Sequence, residues 1–158
     1  MTFRHINPQD DPVIARLIRE TLESVHLNIP GTAYFDEGLD HLSRYYDRSG
    51  RAYYVLTDGD AVIGGVGFAE FDEREHCCEL QKLYLSPAYK GRGLGYEMMQ
   101  YLEERAKEAG YSRIYLETHT SLKAAIHLYE RCGYQRIDRP RSIVHSTMNR
   151  FYRKELKS

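Results

Sequence analysis

Apolar residues recur every three to four positions in some stretches of this chain and every second position in others, and the changes of period divide it into elements. Val13, Ile14, Leu17, Ile18 and Leu22 form one helical stripe, with Asp10 and Asp11 near its start and Pro12 in the first turn. A short strand, residues 3–6, precedes it. Leu39, Leu42 and Tyr46 repeat helical spacing within residues 34–50, with Gly50 as the stop, and a linker at 28–32 separates the two helices. From residue 51 the period shortens. Residues 51–87 carry β-branched and aromatic side chains, interrupted at Asp58-Gly59-Asp60 and by the polar run 72–75, a pattern that predicts three antiparallel strands.

Leu94, Met98, Leu102 and Ala106 restore the helical period, giving a helix from about Leu94 to Ala109 with Gly110 as its C-terminal signal. A strand at 113–119, a helix at 121–133 ended by Gly133, and two closing strands at 134–138 and 150–156 complete the chain. The strand leading into the helix at Leu94, that helix, and the strand at 113–119 make a βαβ unit, so these two strands are parallel neighbours. The predicted fold is therefore α/β in the α+β sense. A central mixed, mostly antiparallel sheet with one parallel pair is flanked by about four helices, all within a single domain over residues 1–158.

Composition narrows the function. A chain of 158 residues with 42% hydrophobic content is expected to form one core, and it carries no repeat or low-complexity tract. A net charge of -1 gives no electrostatic excess of the kind that marks nucleic-acid binders, although residues 136–157 are locally basic. No apolar run reaches the ~20 residues of a membrane span, and the first residues lack the apolar stretch of a signal peptide. Neither nucleic acid nor membrane is expected as a partner, and the expected location is cytoplasmic. Three cysteines, an odd number, suit a reducing compartment. Cys77 and Cys78 follow His76, yet strand neighbours point to opposite faces and no second pair completes four ligands. No metal is expected there; one thiol should be buried and the other exposed.

Residues 86–99 read SPAYKGRGLGYEMM, with three glycines in five positions just before a helix. Glycine is costly in a helix start unless backbone must approach something closely. A helix N-terminus offers free N–H groups and about half a positive charge, glycines let an anion sit against them, and Lys90 and Arg92 add cations. A pyrophosphate-type site follows. The spacing fits neither the P-loop pattern nor the dinucleotide-binding fingerprint.

This segment resembles the acetyl-CoA loop of the GNAT superfamily of acyl-CoA-dependent N-acetyltransferases, which reads Gln/Arg-x-x-Gly-x-Gly/Ala. Lys90, Gly91, Arg92, Gly93, Leu94 and Gly95 stand at its positions. The resemblance runs from about Val55 to Tyr134 and includes the strand ahead of the loop and AAIHLYERCGY after it; the first 50 residues match only in layout. Lys90 replaces the usual Gln or Arg at a position that acts through its main chain. Leu122 stands where many members place Asn, so the side-chain hydrogen bond made there is not expected here.

The resemblance implies acetyl-CoA as donor, lying between the two parallel strands where they splay, with its pyrophosphate on the N–H groups from Gly91 to Tyr96. It also implies pantetheine paired with the backbone of Leu83, Tyr84 and Leu85, and a Leu83 N–H aimed at the thioester carbonyl. Direct transfer from thioester to amine moves two protons, since an ammonium cannot attack and a thiolate leaves more easily once protonated. With a pKa near 10.4, about one amine in two thousand is neutral at pH 7. By the same correspondence Glu79 is the general base and Tyr129 the general acid beside the CoA sulfur. His26, His41, His119, His127 and His145 match no motif; His119, ending the second parallel strand, is the one nearest the expected reaction centre. No serine sits in a GxSxG elbow.

The acceptor pocket is expected from the variable N-terminal helices and the closing strands. Tyr34, Phe35, Tyr45, Tyr46, Tyr53, Phe68, Phe151 and Tyr152 would line a pocket, form a homodimer surface or fill the core, the last being the default. Glu70, Asp72, Glu73 and Glu75 at the polar turn would draw a cationic amine. The expected reaction is acetylation of a primary amine on a small molecule, such as an amino acid or polyamine, through a ternary complex. The alternatives are acetylation of a protein lysine or N-terminus, which needs an open peptide groove, and a non-catalytic acyl-CoA-binding module.

Overall fold

The computed structural model describes residues 1–144 and 146–157, and its seven strands form one sheet. In chain order the elements are β1 (Thr2–His5), α1 (Asp11–Ser24), α2 (Leu42–Tyr45), β2 (Ala52–Asp58), β3 (Ala61–Asp72), β4 (Cys77–Leu85), α3 (Leu94–Glu108), β5 (Arg113–Thr118), α4 (Lys123–Arg131), β6 (Gln135–Ile137) and β7 (Arg150–Glu155). The spatial order is β1-β2-β3-β4-β5-β7-β6. All pairings are antiparallel except β4 with β5. The mixed sheet with one parallel pair is thus as the sequence predicts.

Strand alternation sends side chains to two cores. Tyr53 and Val55 of β2 join Ile14, Ala15, Ile18 and Leu22 of α1 on one face. Tyr54 and Leu56 of the same strand join Met98, Met99, Leu102 and Ala106 of α3, with Tyr129 of α4, on the other. The helix stripes are therefore the packing surfaces of a three-layer arrangement, apart from Val13 in the first turn of α1, which is exposed.

The N-terminal region departs from expectation in one place. The helix predicted within residues 34–50 is broken into two short 3-10 turns, Ala33–Phe35 and Leu39–His41, and the single turn α2. Leu39, Leu42 and Tyr46 are nevertheless all buried, so the apolar spacing reports burial of one face. Gly38 begins the second turn, and Asp11 of α1 holds both the backbone N–H and the hydroxyl of Ser43, at 2.9 and 2.7 Å. Both Cys77 and Cys78 are buried, contrary to the expected division. They do point oppositely; Cys78 enters the α3 core, while Cys77 meets Tyr115 and Phe151 in a small cluster on the far side.

Candidate active site

The parallel pair stops pairing early. Cys77, Cys78 and Glu79 lie beside Arg113, Ile114 and Tyr115, and from Leu80 onward β4 has no ladder partner on β5. On its other side β4 is bulged, because Gly67 pairs with Gln81 but Gly65 with Tyr84, which leaves one extra residue at Lys82–Leu83. Lys82 has a positive φ of 53°, and the buried Tyr53 phenol holds its carbonyl by donating at 2.7 Å. Tyr53 fits because β3 has glycine at 65 and 67; a Cβ on Gly65 would lie 2.4 Å from the Tyr53 ring.

A cavity of about 730 Å³ fills the gap and reaches both faces of the sheet. On one side Gly91, Gly93, Leu94, Gly95 and Tyr96 line it, with Tyr129 and Leu128 of α4. The α3 N-terminus there carries no side-chain cap, so its first N–H groups are open donors, and Gly93 takes φ 77° at the N-cap. A Cβ on Gly95 would meet Leu128 at 3.1 Å, so the small residue lets α3 and α4 approach. Lys90 of the loop lines it too, as do Lys123 and Arg131 from the two ends of α4. Uncapped donors, the positive helix dipole and the adjacent Lys90 fit a pyrophosphate. Leu83, Tyr84 and Leu85 line the opening. Arg92 does not line it; its guanidinium lies 5.0 Å over the Tyr89 ring.

Tyr129 is 6% exposed, and among the described residues its hydroxyl has no hydrogen-bond partner. Burial, with Tyr84 and Cys132 nearby, raises its pKa well above the usual phenol value, so it holds its proton throughout the neutral range.

On the α1 side, the lining includes Glu79, Gln81, Lys82, Asp36 and Glu117. Burial pushes the Glu79 carboxyl up to about 7; a hydrogen bond from Gln81 opposes this, Glu117 adds to it, and Lys82 opposes it. Glu117 is held by the hydroxyls of Tyr115 at 2.9 Å and Ser146 at 3.1 Å. Lys82 pairs with Asp36 at 2.9 Å.

The chain from residue 17 to 134 matches the family model for the acetyltransferase (GNAT) family. The chain belongs to that family. It is 41% identical over 138 residues, 86% of this chain and 83% of the relative, to the uncharacterized N-acetyltransferase YjgM of Escherichia coli (strain K12). Its fold matches an acetyltransferase of the GNAT family from Staphylococcus aureus Mu50 with a TM-score of 0.84, at 21% identity over 99% of each chain. It also matches the Salmonella typhimurium protein yncA, solved with its cofactor acetyl-CoA, with a TM-score of 0.78 at 18% identity over 100% of this chain and 95% of that one. As a member of the GNAT acetyltransferase family, the protein is an acyltransferase.

Several expected acceptor residues lie elsewhere. None of the eight aromatics weighed for the pocket lines the cavity, and for most the default of core filling holds. Tyr46, Tyr53, Phe68, Phe151 and Tyr152 are core, and Phe35 and Tyr45 are exposed. Glu70 is committed to Arg51 at 2.6 Å, Asp72 caps a 3-10 turn, and Glu75 pairs with Arg113. His119 accepts from the Ser121 N–H outside the cavity lining, and His145 lies outside the described residues. Sequence reading missed Asp36, Gln81, Glu117, Lys123 and Arg131. Glu117 had a signal, since it sits two residues after Tyr115 and so shares its face of β5, but His119 drew attention instead. Among the described residues, no group of three His, Cys, Asp or Glu is placed to hold a metal, and no helix is long and apolar enough to cross a membrane.

Proposed function

We propose that the protein transfers acetyl from acetyl-CoA to a primary amine of a small cationic molecule within a ternary complex. The observation that carries this reading is a single cavity through the gap between β4 and β5, with the uncapped α3 N-terminus and Tyr129 on one face and Glu79, Glu117 and Asp36 on the other. Positive lining at one end suits phosphates; negative lining at the other suits an ammonium. Loops from the two ends of the chain meet beside the acceptor end, where the Thr147 hydroxyl donates to the Pro30 carbonyl at 3.0 Å. That tie favours a small acceptor over an extended peptide.

In this reading the residues of loop 90–96 bind the pyrophosphate and the backbone of Leu83, Tyr84 and Leu85 aligns the pantetheine arm. Glu79, near pH 7, takes a proton from the acceptor ammonium. The amine nitrogen attacks the thioester carbonyl carbon, and the Leu83 N–H stabilises the charge on its oxygen. The C–S bond then breaks, Tyr129 gives its proton to the departing sulfur, and the second proton leaves the former amine nitrogen to solvent, from which the Tyr129 phenolate is reprotonated.

The test is calorimetric titration with acetyl-CoA, then thiol release with a panel of primary amines. Wild type is expected to bind in the micromolar range. Gly93→Glu, which puts bulk and negative charge at the loop, is expected to abolish binding while retaining the far-UV spectrum. Tyr129→Phe should keep acetyl-CoA affinity and lose about 10²-fold in turnover. Folded wild type without acetyl-CoA binding would refute the site, and full turnover by Tyr129→Phe would refute the acid.

A further inference from the structure

Glu79 is not alone on its face of β4. Gln81 lies two residues on, before the bulge, and donates through Nε2 to Glu79 Oε1 at 2.9 Å. The amide oxygen of Gln81 accepts from the Tyr46 phenol at 2.7 Å, and Tyr46 is buried against Tyr53 beyond α2. We propose that Gln81, locked by Tyr46, is the positioning residue for Glu79: it ties Oε1 and leaves Oε2 as the oxygen that exchanges the proton. This rests on the reading of Glu79 as the general base.

The chemistry of the amide makes the arrangement one-directional. With the carboxylate charged, only the NH₂ edge can face Glu79 favourably, because the amide oxygen would set lone pair against lone pair. The phenol enforces that orientation by holding the oxygen; burial keeps its pKa far above neutrality, so it remains a donor. Without the phenol the amide can turn over and accept a proton from neutral Glu79, which favours the acid form. Other groups around Glu79 are Glu117 and Tyr115 on β5, Cys78 and Lys82 on β4, and Asp36 paired to Lys82. Among the described residues, none of these bonds Oε1, so the Tyr46–Gln81 pair is the control that acts through geometry.

The test is the ¹³C titration of the Glu79 side-chain carboxyl in the full chain, assigned by its loss in Glu79→Gln. In Gln81→Met the midpoint is expected to rise by about one pH unit, since the removed bond favours the charged form. Gln81→Glu, isosteric and so the safer variant for folding, should raise it further by placing a like charge alongside. Tyr46→Phe should raise it as well, and adding Tyr46→Phe to Gln81→Met should add nothing. An unmoved midpoint in both Gln81 variants overturns the proposal, and additive shifts in the double variant overturn the role of Tyr46. Failure of the base reading shows differently, as full thiol release by Glu79→Gln with the active amine.

Discussion

Replacing Glu79 by glutamine separates what the carboxylate does for the reaction from what it does to the fold. Its carboxyl is raised from 4.5 to about 7, burial being the largest cause. The folded state therefore holds this proton more tightly than the unfolded chain, and stability falls as pH rises from about 4.5 to about 7, then levels off. At about 1.36 kcal/mol per pH unit the full span amounts to ~3 kcal/mol, and contact of the cavity with water reduces this to about 2 kcal/mol. The amide that Glu79→Gln introduces keeps the shape of the side chain, accepts the same hydrogen bond from Gln81, and carries no charge. The variant is thus expected to melt about 4–8 °C above wild type at pH 8 and within about 2 °C of it at pH 5. Turnover should fall by about 10² or more over the same range. Differential scanning fluorimetry at the two pH values, beside thiol release, reads both effects. A melting shift equal at pH 5 and pH 8, or a loss of stability at pH 8, would refute the assignment of a strained buried charge.

Two further substitutions probe the surroundings. Gly65→Ala presses a Cβ to 2.4 Å from the Tyr53 ring, whose phenol holds the Lys82 carbonyl, so it should lose about 1–3 kcal/mol in chemical denaturation and weaken acetyl-CoA binding through the bulge. Unchanged stability and affinity would mean the ring is free to move. Glu117→Gln should raise KM for dicationic amines more than for monoamines while leaving acetyl-CoA affinity unchanged, and an equal effect on both amine classes would remove Glu117 from acceptor recognition.

Much of the fold was legible because burial imposes period. In the stripe from Val13 to Leu22, Ile14, Ile18 and Leu22 occupy the core, while Val13 at its start is exposed, and the apolar run through Tyr53, Tyr54 and Val55 marks a strand buried on both faces. Failure came where local pattern and tertiary demand part. Leu39, Leu42 and Tyr46 have helical spacing, but Gly38 and the Asp11–Ser43 bonds satisfy them with turns. The cofactor end was readable because a glycine-rich helix start is a local feature, while the acceptor end is assembled from residues more than 80 apart in sequence, Asp36 and Glu117 among them. Spacing cannot report such encounters. The aromatic residues followed their default, since bulky side chains serve packing before anything else, and Tyr46, Tyr53, Phe68, Phe151 and Tyr152 are core.

The sheet's interruption beside β4 has a consequence for traffic. The cavity in the strand gap is lined by residues from the α3–α4 side and from the α1 side, with the carboxylates Asp36, Glu79 and Glu117 on the latter; we read it as open at both faces. On the proposed reading, the donor enters and leaves by the first and the amine by the second, so neither must wait for the other to clear a shared passage. The two reactants would meet head-on in the plane of the sheet, with the strand gap acting as the window across which the acetyl group changes sides.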